Sequence, residues 1–146
     1  MGSIFRTADG AGVTKVFLSG YTPAPIDRFG RTVHEIQKTS LGATESVAWE
    51  VCEDTMIVID RLKKSGVRII AVEQHERAVL YFENDVTDDT AFIFGNEIEG
   101  VPNEVCEEAD MVVHIPMKGT KESLNVSVAT GIVLFDAQMR ADESMC

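Results

Sequence analysis

Two glycine-punctuated segments constrain this chain more than anything else in it. Phe94-Gly95-Asn96-Glu97-Ile98-Glu99-Gly100 follows the apolar run Thr90 to Phe94. Gly119-Thr120-Lys121-Glu122-Ser123-Leu124-Asn125-Val126-Ser127-Val128-Ala129 follows a second β-branched run, Met111 to Ile115. Each leads into a segment with helical character. A strand, a small-residue turn and a helix together leave backbone N–H groups and a helix N-terminus free to hold a ligand. A third turn of this kind is read at the start of the chain, in Gly2-Ser3-Ile4-Phe5-Arg6-Thr7-Ala8-Asp9. Three such turns make a ligand-binding site the leading expectation.

The remaining segments agree on a fold class. Val16 to Ser19 reads as a buried strand, ended by Gly20 and the turn formers Pro23 and Pro25. Thr22 to Ala43 has no period and is expected to be a long loop, of the kind that is either functional or disordered. Asp54 to Lys64 spaces Met56, Ile57, Ile59 and Leu62 among charges, then places Lys63 and Lys64 before Gly66, as an amphipathic helix with a glycine stop does. Val67 to Val72 reads as a strand, as do the runs from Thr90 and Met111, with a short helix over Val101 to Glu108. Asn125 to Arg140 is the closing helix, apolar on more than one face. Alternating strands and helices, with uninterrupted apolar strands, predict an α/β fold whose parallel sheet carries helices on both faces.

A chain of 146 residues fits one domain, able to bury about two-thirds of its extended surface. Nothing in it approaches the ~20 apolar residues that span a bilayer, and a signal peptide is not evident. Cys52, Cys106 and Cys146 form neither a disulfide framework nor a zinc pattern and read as reduced cytoplasmic thiols. The formal net charge of −11 weighs against independent nucleic-acid binding unless basic residues gather on one surface. Arg28, Arg31 and Lys38, with Arg6 as a spatial neighbour, are the obvious local candidates.

Glu97 and Glu99 offer two acids beside glycines, but nothing nearby suggests a carbohydrate cleft. His34, His75 and His114 lack metal-ligand spacing, so no metal is expected; His75 and His114 read as surface or strand-end residues. Thr120, Ser123, Asn125 and Ser127 are either simple caps of the last helix or groups that grip a small ligand. The segment lacks the Gly-Lys-Ser/Thr ending of a phosphate loop. The first turn lacks the spacing of a dinucleotide fingerprint.

Taken in order, these residues resemble the TrmH/SpoU branch of the SPOUT RNA methyltransferases. The family motif N-x-G-x-x-x-R-T-A resembles Gly2-Ser3-Ile4-Phe5-Arg6-Thr7-Ala8, and its second motif resembles Ile93 to Val101. Its third resembles Gly119 to Ala129, and an intermediate signature resembles Lys38-Thr39-Ser40-Leu41-Gly42-Ala43. The resemblance covers nearly the whole chain and implies one methyltransferase domain over residues 1–146. It also implies a parallel sheet with a C-terminal trefoil knot, a rare exception to the usual topology rules. S-adenosylmethionine would bind in that knot, leaving S-adenosylhomocysteine as product, in a cytoplasmic homodimer. The implied reaction is ribose 2′-O-methylation of tRNA or ribosomal RNA, with neither DNA nor a membrane as partner.

Roles carry over by resemblance. Arg6, Glu97, Ser123 and Asn125 match the catalytic positions; apart from the resemblance, the basic cluster of Arg28, Arg31 and Lys38 with Arg6 supplies the expected RNA contacts. Phe94, Gly95, Asn96, Gly100, Ile115, Met117, Ser123 and Leu124 sit where the family wraps its cofactor. The departure is at the start. The family asparagine, six residues before the arginine, would precede Met1, and the usual N-terminal strand is expected to be lacking. Two alternatives therefore stand beside the main reading: a catalytically impaired cofactor- or RNA-binding module, and a methyltransferase acting on a base nitrogen.

Overall fold

The computed structural model describes residues 2–19, 43–84, 89–96 and 99–144. The chain forms two compact units, residues 1–55 and 56–146. In the first unit, helix α1 (Gly2–Gly10) is followed by strand β1 (Lys15–Ser19). A one-turn helix α2 (Ala43–Ser46) and strand β2 (Ala48–Cys52) complete it. Strands β1 and β2 pair in parallel, from Lys15 opposite Ala48 to Ser19 opposite Cys52. Phe5, which is 0% exposed, packs with Leu18, Val16 and Trp49. Lys15 Nζ meets Glu50 Oε2 at 2.7 Å on the surface, a kind of pair that contributes little to stability.

The turn expected over Gly2 to Asp9 is instead helix α1. Gly2, Phe5 and Ala8 are its buried residues, three apart on one face, which is the spacing that helix burial requires. The Gly2-Ser3 opening, read as a turn former, is the first turn of this helix. Strand β2 was not anticipated. Its partly exposed pattern around Glu50 departs from the continuous apolar runs of the other strands.

The second unit holds a parallel four-stranded sheet. Helix α3 (Thr55–Lys64) leads to β3 (Arg68–Val72), then β4 (Val79–Leu80), and then a one-turn 3-10 helix (Tyr81–Glu83). Strand β5 (Thr90–Phe94), α4 (Asn103–Glu108), β6 (Met111–His114) and α5 (Val126–Ser144) follow. The strand order is β4-β6-β3-β5, so β3 is flanked on both sides. Arg68 to Val72 run alongside Thr90 to Phe94, and Ile70 to Val72 alongside Met111 to Val113.

Strand neighbours point to opposite faces, yet Ile69, Ile70 and Ala71 are each 0% exposed, so both faces of β3 are covered. One face is a single cluster that joins Ile69, Ala71 and Val112 to Ile59 of α3 and to Val105 and Cys106 of α4. Helix α3 ends as its sequence signals. Gly66 takes φ +83°, Val67 N–H donates to Leu62 O at 3.0 Å, and Gly66 N–H donates to Lys63 O at 3.0 Å. This is a Schellman closure, in which a left-handed glycine satisfies the last carbonyls. Helix α4 starts two residues later than expected, after Pro102, whose missing N–H would have had no partner at a helix start. Among the described residues, no helix is long and apolar enough to cross a membrane.

Ile69→Ala should lower the free energy of unfolding by about 2–5 kcal/mol, because the cavity forms in a close-packed face. Ile57→Ala, at a position 68% exposed on α3, should change it by less than about 0.5 kcal/mol. Chemical denaturation of the two variants tests the contrast.

Candidate functional site

Because β3, β5 and β6 are parallel, their carboxyl ends share one edge of the sheet. The last residues of the three strands, Val72, Phe94 and His114, open a cleft of about 470 Å³. A ligand site is expected there in an open α/β sheet, and the volume lies in the ~300–1,000 Å³ range of small-molecule sites.

The loop after β5 forms one wall. Phe94, Gly95, Asn96 and Gly100, expected to wrap a cofactor, all line the cleft, and so does Glu99. The loop folds back on itself. Asn96 Oδ1 accepts from Glu99 N–H at 2.6 Å, and Gly100 N–H donates to Asn96 O at 3.0 Å. Gly95 is compulsory at this crossing, since a Cβ there would collide with the backbone of Gly100 and Val101. Its lack of a side chain keeps that part of the wall as bare backbone.

The loop after β6 forms the other wall. Ile115, Met117, Ser123 and Leu124, the remaining positions expected to hold a cofactor, line the cleft, as do Val126 and Ala129 of α5. Asn125 does not line it. Its Oδ1 accepts from Ser127 N–H at 2.9 Å and from Ser127 Oγ–H at 2.6 Å, so its carboxamide caps α5. Of the open alternatives for this segment, capping describes Asn125 and Ser127, and lining the cleft describes Ser123.

The floor, at the end of β3, was not foreseen: Glu73, Gln74 and His75 line it. The rule that places ligands outside carboxyl strand ends was the available signal. Arg77 N–H donates to His75 Nδ1 at 3.1 Å, so the ring proton sits on Nε2 and points to Asn103 Oδ1 at 3.0 Å. Asn103 in turn donates to Glu107 Oε1 at 3.1 Å. His114 ends β6 with its Nδ1 buried and unpartnered among the described residues. Cys106 is buried and unpaired. Burial pushes its thiol pKa up, the Glu73 carboxylate adds to that, and Arg77 opposes it.

The other expected residues lie elsewhere. Arg6 is exposed on α1, in the first unit. Glu97, Arg28, Arg31 and Lys38 lie outside the described residues. No group of three or more His, Cys, Asp or Glu residues that could hold a metal occurs among the described residues.

Parallel strands whose ends and glycine loops enclose a cofactor-sized cleft define an α/β protein with its ligand site at the strand ends. The SpoU rRNA Methylase family matches residues 1–135, and the chain belongs to that family. It is 35% identical over 138 residues to the 23S rRNA (guanosine-2'-O-)-methyltransferase RlmB of Neisseria meningitidis serogroup B, covering 94% of this chain and 52% of the relative. It is 34% identical over 141 residues to the tRNA (guanosine(18)-2'-O)-methyltransferase of Aquifex aeolicus, covering 97% of this chain and 64% of the relative. The chain thus spans roughly half to two-thirds of these curated relatives. Among solved structures, the A. aeolicus TrmH/SpoU tRNA modifying enzyme superposes with a TM-score of 0.85 at 31% identity, over 99% of this chain and 70% of that one. The AdoMet-bound rRNA methyltransferase of Sinorhizobium meliloti gives 0.84 at 31% identity, over 95% and 51%.

Gly95→Ala should destabilise the protein by about 1–3 kcal/mol, because the added methyl forces the backbone crossing apart. Gly119, around which a Cβ meets nothing within 4 Å, is the control. Gly119→Ala should be neutral or stabilising by up to about 1 kcal/mol. Urea denaturation of both variants checks this.

Proposed function

We propose that this chain forms the S-adenosylmethionine-dependent part of an RNA methyltransferase that methylates a ribose 2′-hydroxyl of tRNA or ribosomal RNA. The supporting observation is the cleft at the ends of β3, β5 and β6, in a chain 31% identical to an rRNA methyltransferase crystallised with AdoMet. Its walls suit that donor. Val72, Phe94, Ile115, Met117 and Leu124 supply apolar surface, and the backbone of both loops supplies hydrogen-bonding groups for a neutral adenine. When bound, the donor supplies an electrophilic methyl group on a sulfonium sulfur. The work left to the protein is orientation, holding reacting atoms within about 3–3.5 Å and in line.

Arg6 is the group proposed to meet the attacking ribose. An arginine stays protonated, with a pKa above ~12, so it stabilises negative charge developing on the hydroxyl or grips a neighbouring phosphate. Glu97 and Ser123 are proposed as polar residues shaping the reacting end. Asn125 is proposed to position, through the first turn of α5, the loop that carries Ser123. Arg28, Arg31 and Lys38 are proposed to join Arg6 in holding RNA, in the cytoplasm.

The finer architecture belongs to the same proposal: one methyltransferase domain over residues 1–146, a trefoil knot and a homodimer. In favour of the knot, β6 lies between β3 and β4, both of which precede it in sequence. In favour of the homodimer, Val128, Phe135 and Met139 are 50%, 41% and 61% exposed. Spaced seven and four residues apart, they form one apolar stripe along α5.

Calorimetry with S-adenosylhomocysteine should show one saturable site per chain; a folded protein giving no heat would refute the donor assignment. Arg6→Ala should abolish methyl transfer to unmodified RNA while changing S-adenosylhomocysteine affinity by no more than about threefold, under ~0.7 kcal/mol. Unchanged turnover would remove Arg6 from the mechanism. Nuclease digestion and mass spectrometry should find the methyl on the ribose and not on a base nitrogen. Phe135→Glu should weaken self-association by about tenfold or more, seen by analytical ultracentrifugation, if α5 supplies the centre of the dimer interface.

A further inference from the structure

The floor of the cleft does more than close it. Glu73 and Gln74 are the first two residues beyond β3, and the strands on either side of β3 are β5 and β6. Glu73 Oε2 accepts from Val101 N–H at 2.7 Å, and Oε1 accepts from Gln74 N–H at 2.8 Å. The same carboxylate fills the space in which a Cβ on Gly100 would sit. Gln74 Nε2 donates to Ile115 O at 2.9 Å, and Glu73 N–H donates to Val113 O at 3.0 Å. Two consecutive residues therefore fasten the loop after β5 on one side and the loop after β6 on the other.

We propose that Glu73 and Gln74 are positioning residues, a clasp that sets the spacing and orientation of the two walls that hold the methyl donor. This rests on the reading of the cleft as a methyl-donor site. The walls are loops, whose backbone is not held in a ladder, so their relative placement depends on such cross-links. Bonds from a carboxylate to backbone N–H groups are short and about twice as strong as neutral ones. With both oxygens engaged, the Glu73 carboxylate cannot turn away without leaving an N–H unpaired. Gln74 adds the link to Ile115, whose carbonyl has that amide as a fixed donor.

The test is calorimetry of S-adenosylmethionine and S-adenosylhomocysteine binding to the whole chain and to three variants, with thermal melts alongside. Glu73→Gln keeps the shape but points an amide N–H at Val101 or Gln74. Affinity for both compounds should fall together by about tenfold or more, as the loss of one charge-assisted bond implies. Gln74→Met keeps the length and loses the donor, and should weaken both by about threefold to tenfold with little change in melting temperature. Gln74→Lys restores a donor and should recover most of the loss, which a merely structural role at this exposed position would not produce. Unchanged affinity in Glu73→Gln and Gln74→Met overturns the clasp. Weaker binding of the cationic S-adenosylmethionine alone also overturns it, since Glu73 would then act as a direct counter-charge. If Glu73→Gln fails to fold, the Gln74→Met and Gln74→Lys pair decides. A wild-type chain that binds neither compound removes the donor reading and this proposal with it, an outcome distinct from tight wild-type binding that the variants leave intact.

Discussion

Parallel pairing of β3 with both β5 and β6 is the constraint from which the site follows. It puts three carboxyl strand ends on one edge of the sheet, so every loop that leaves them starts beside the same cleft. Antiparallel pairing would have sent alternate loops to opposite edges and left no shared walls. The pairing is secured by burial on both faces. Ile69, Ile70 and Ala71 exclude water from the central strand, and α3 and α4 close one side of it. Stability and function draw on the same feature, because the residues that bury the strand also fix where its ends stop.

Much of this was legible in the sequence for a physical reason. A strand covered on both faces needs no polar alternation, so Val67 to Val72, Thr90 to Phe94 and Met111 to Ile115 read as strands at once, and all three became strands. Gly66 announced the end of α3, because only a residue free to take positive φ closes a helix that way. The two glycine loops were legible as neighbours of one cleft through their position after strands. Helix α1 was misread because its Gly-Ser opening resembles a turn, although Phe5 and Ala8 already carried the three-residue spacing of a buried helical face. Strand β4, two residues long, is too short to produce a period.

The floor of the cleft was illegible for a different reason. Glu73 reaches Val101 across 28 positions, and Gln74 reaches Ile115 across 41. Local pattern reports which face a residue occupies, not which distant backbone group its side chain will meet. Asn125 shows the converse limit. A polar residue before an apolar helix reads equally as a cap or as a ligand contact, and only the geometry of its bond to Ser127 shows the cap.

Charge separates the two tasks proposed for the molecule. A net charge of −11 repels a polyanion at long range, but in physiological salt that field is screened beyond about 8 Å. Contact with RNA is then governed by the few basic residues within that distance of the phosphates, and Arg6 lies in the first unit with the Arg28, Arg31 and Lys38 segment in the same stretch of sequence. The cleft lies in the second unit. Polar and apolar side chains share its lining, with Glu99 and Glu122 beside Glu73, and the Glu73 carboxylate is committed to N–H groups of the protein itself.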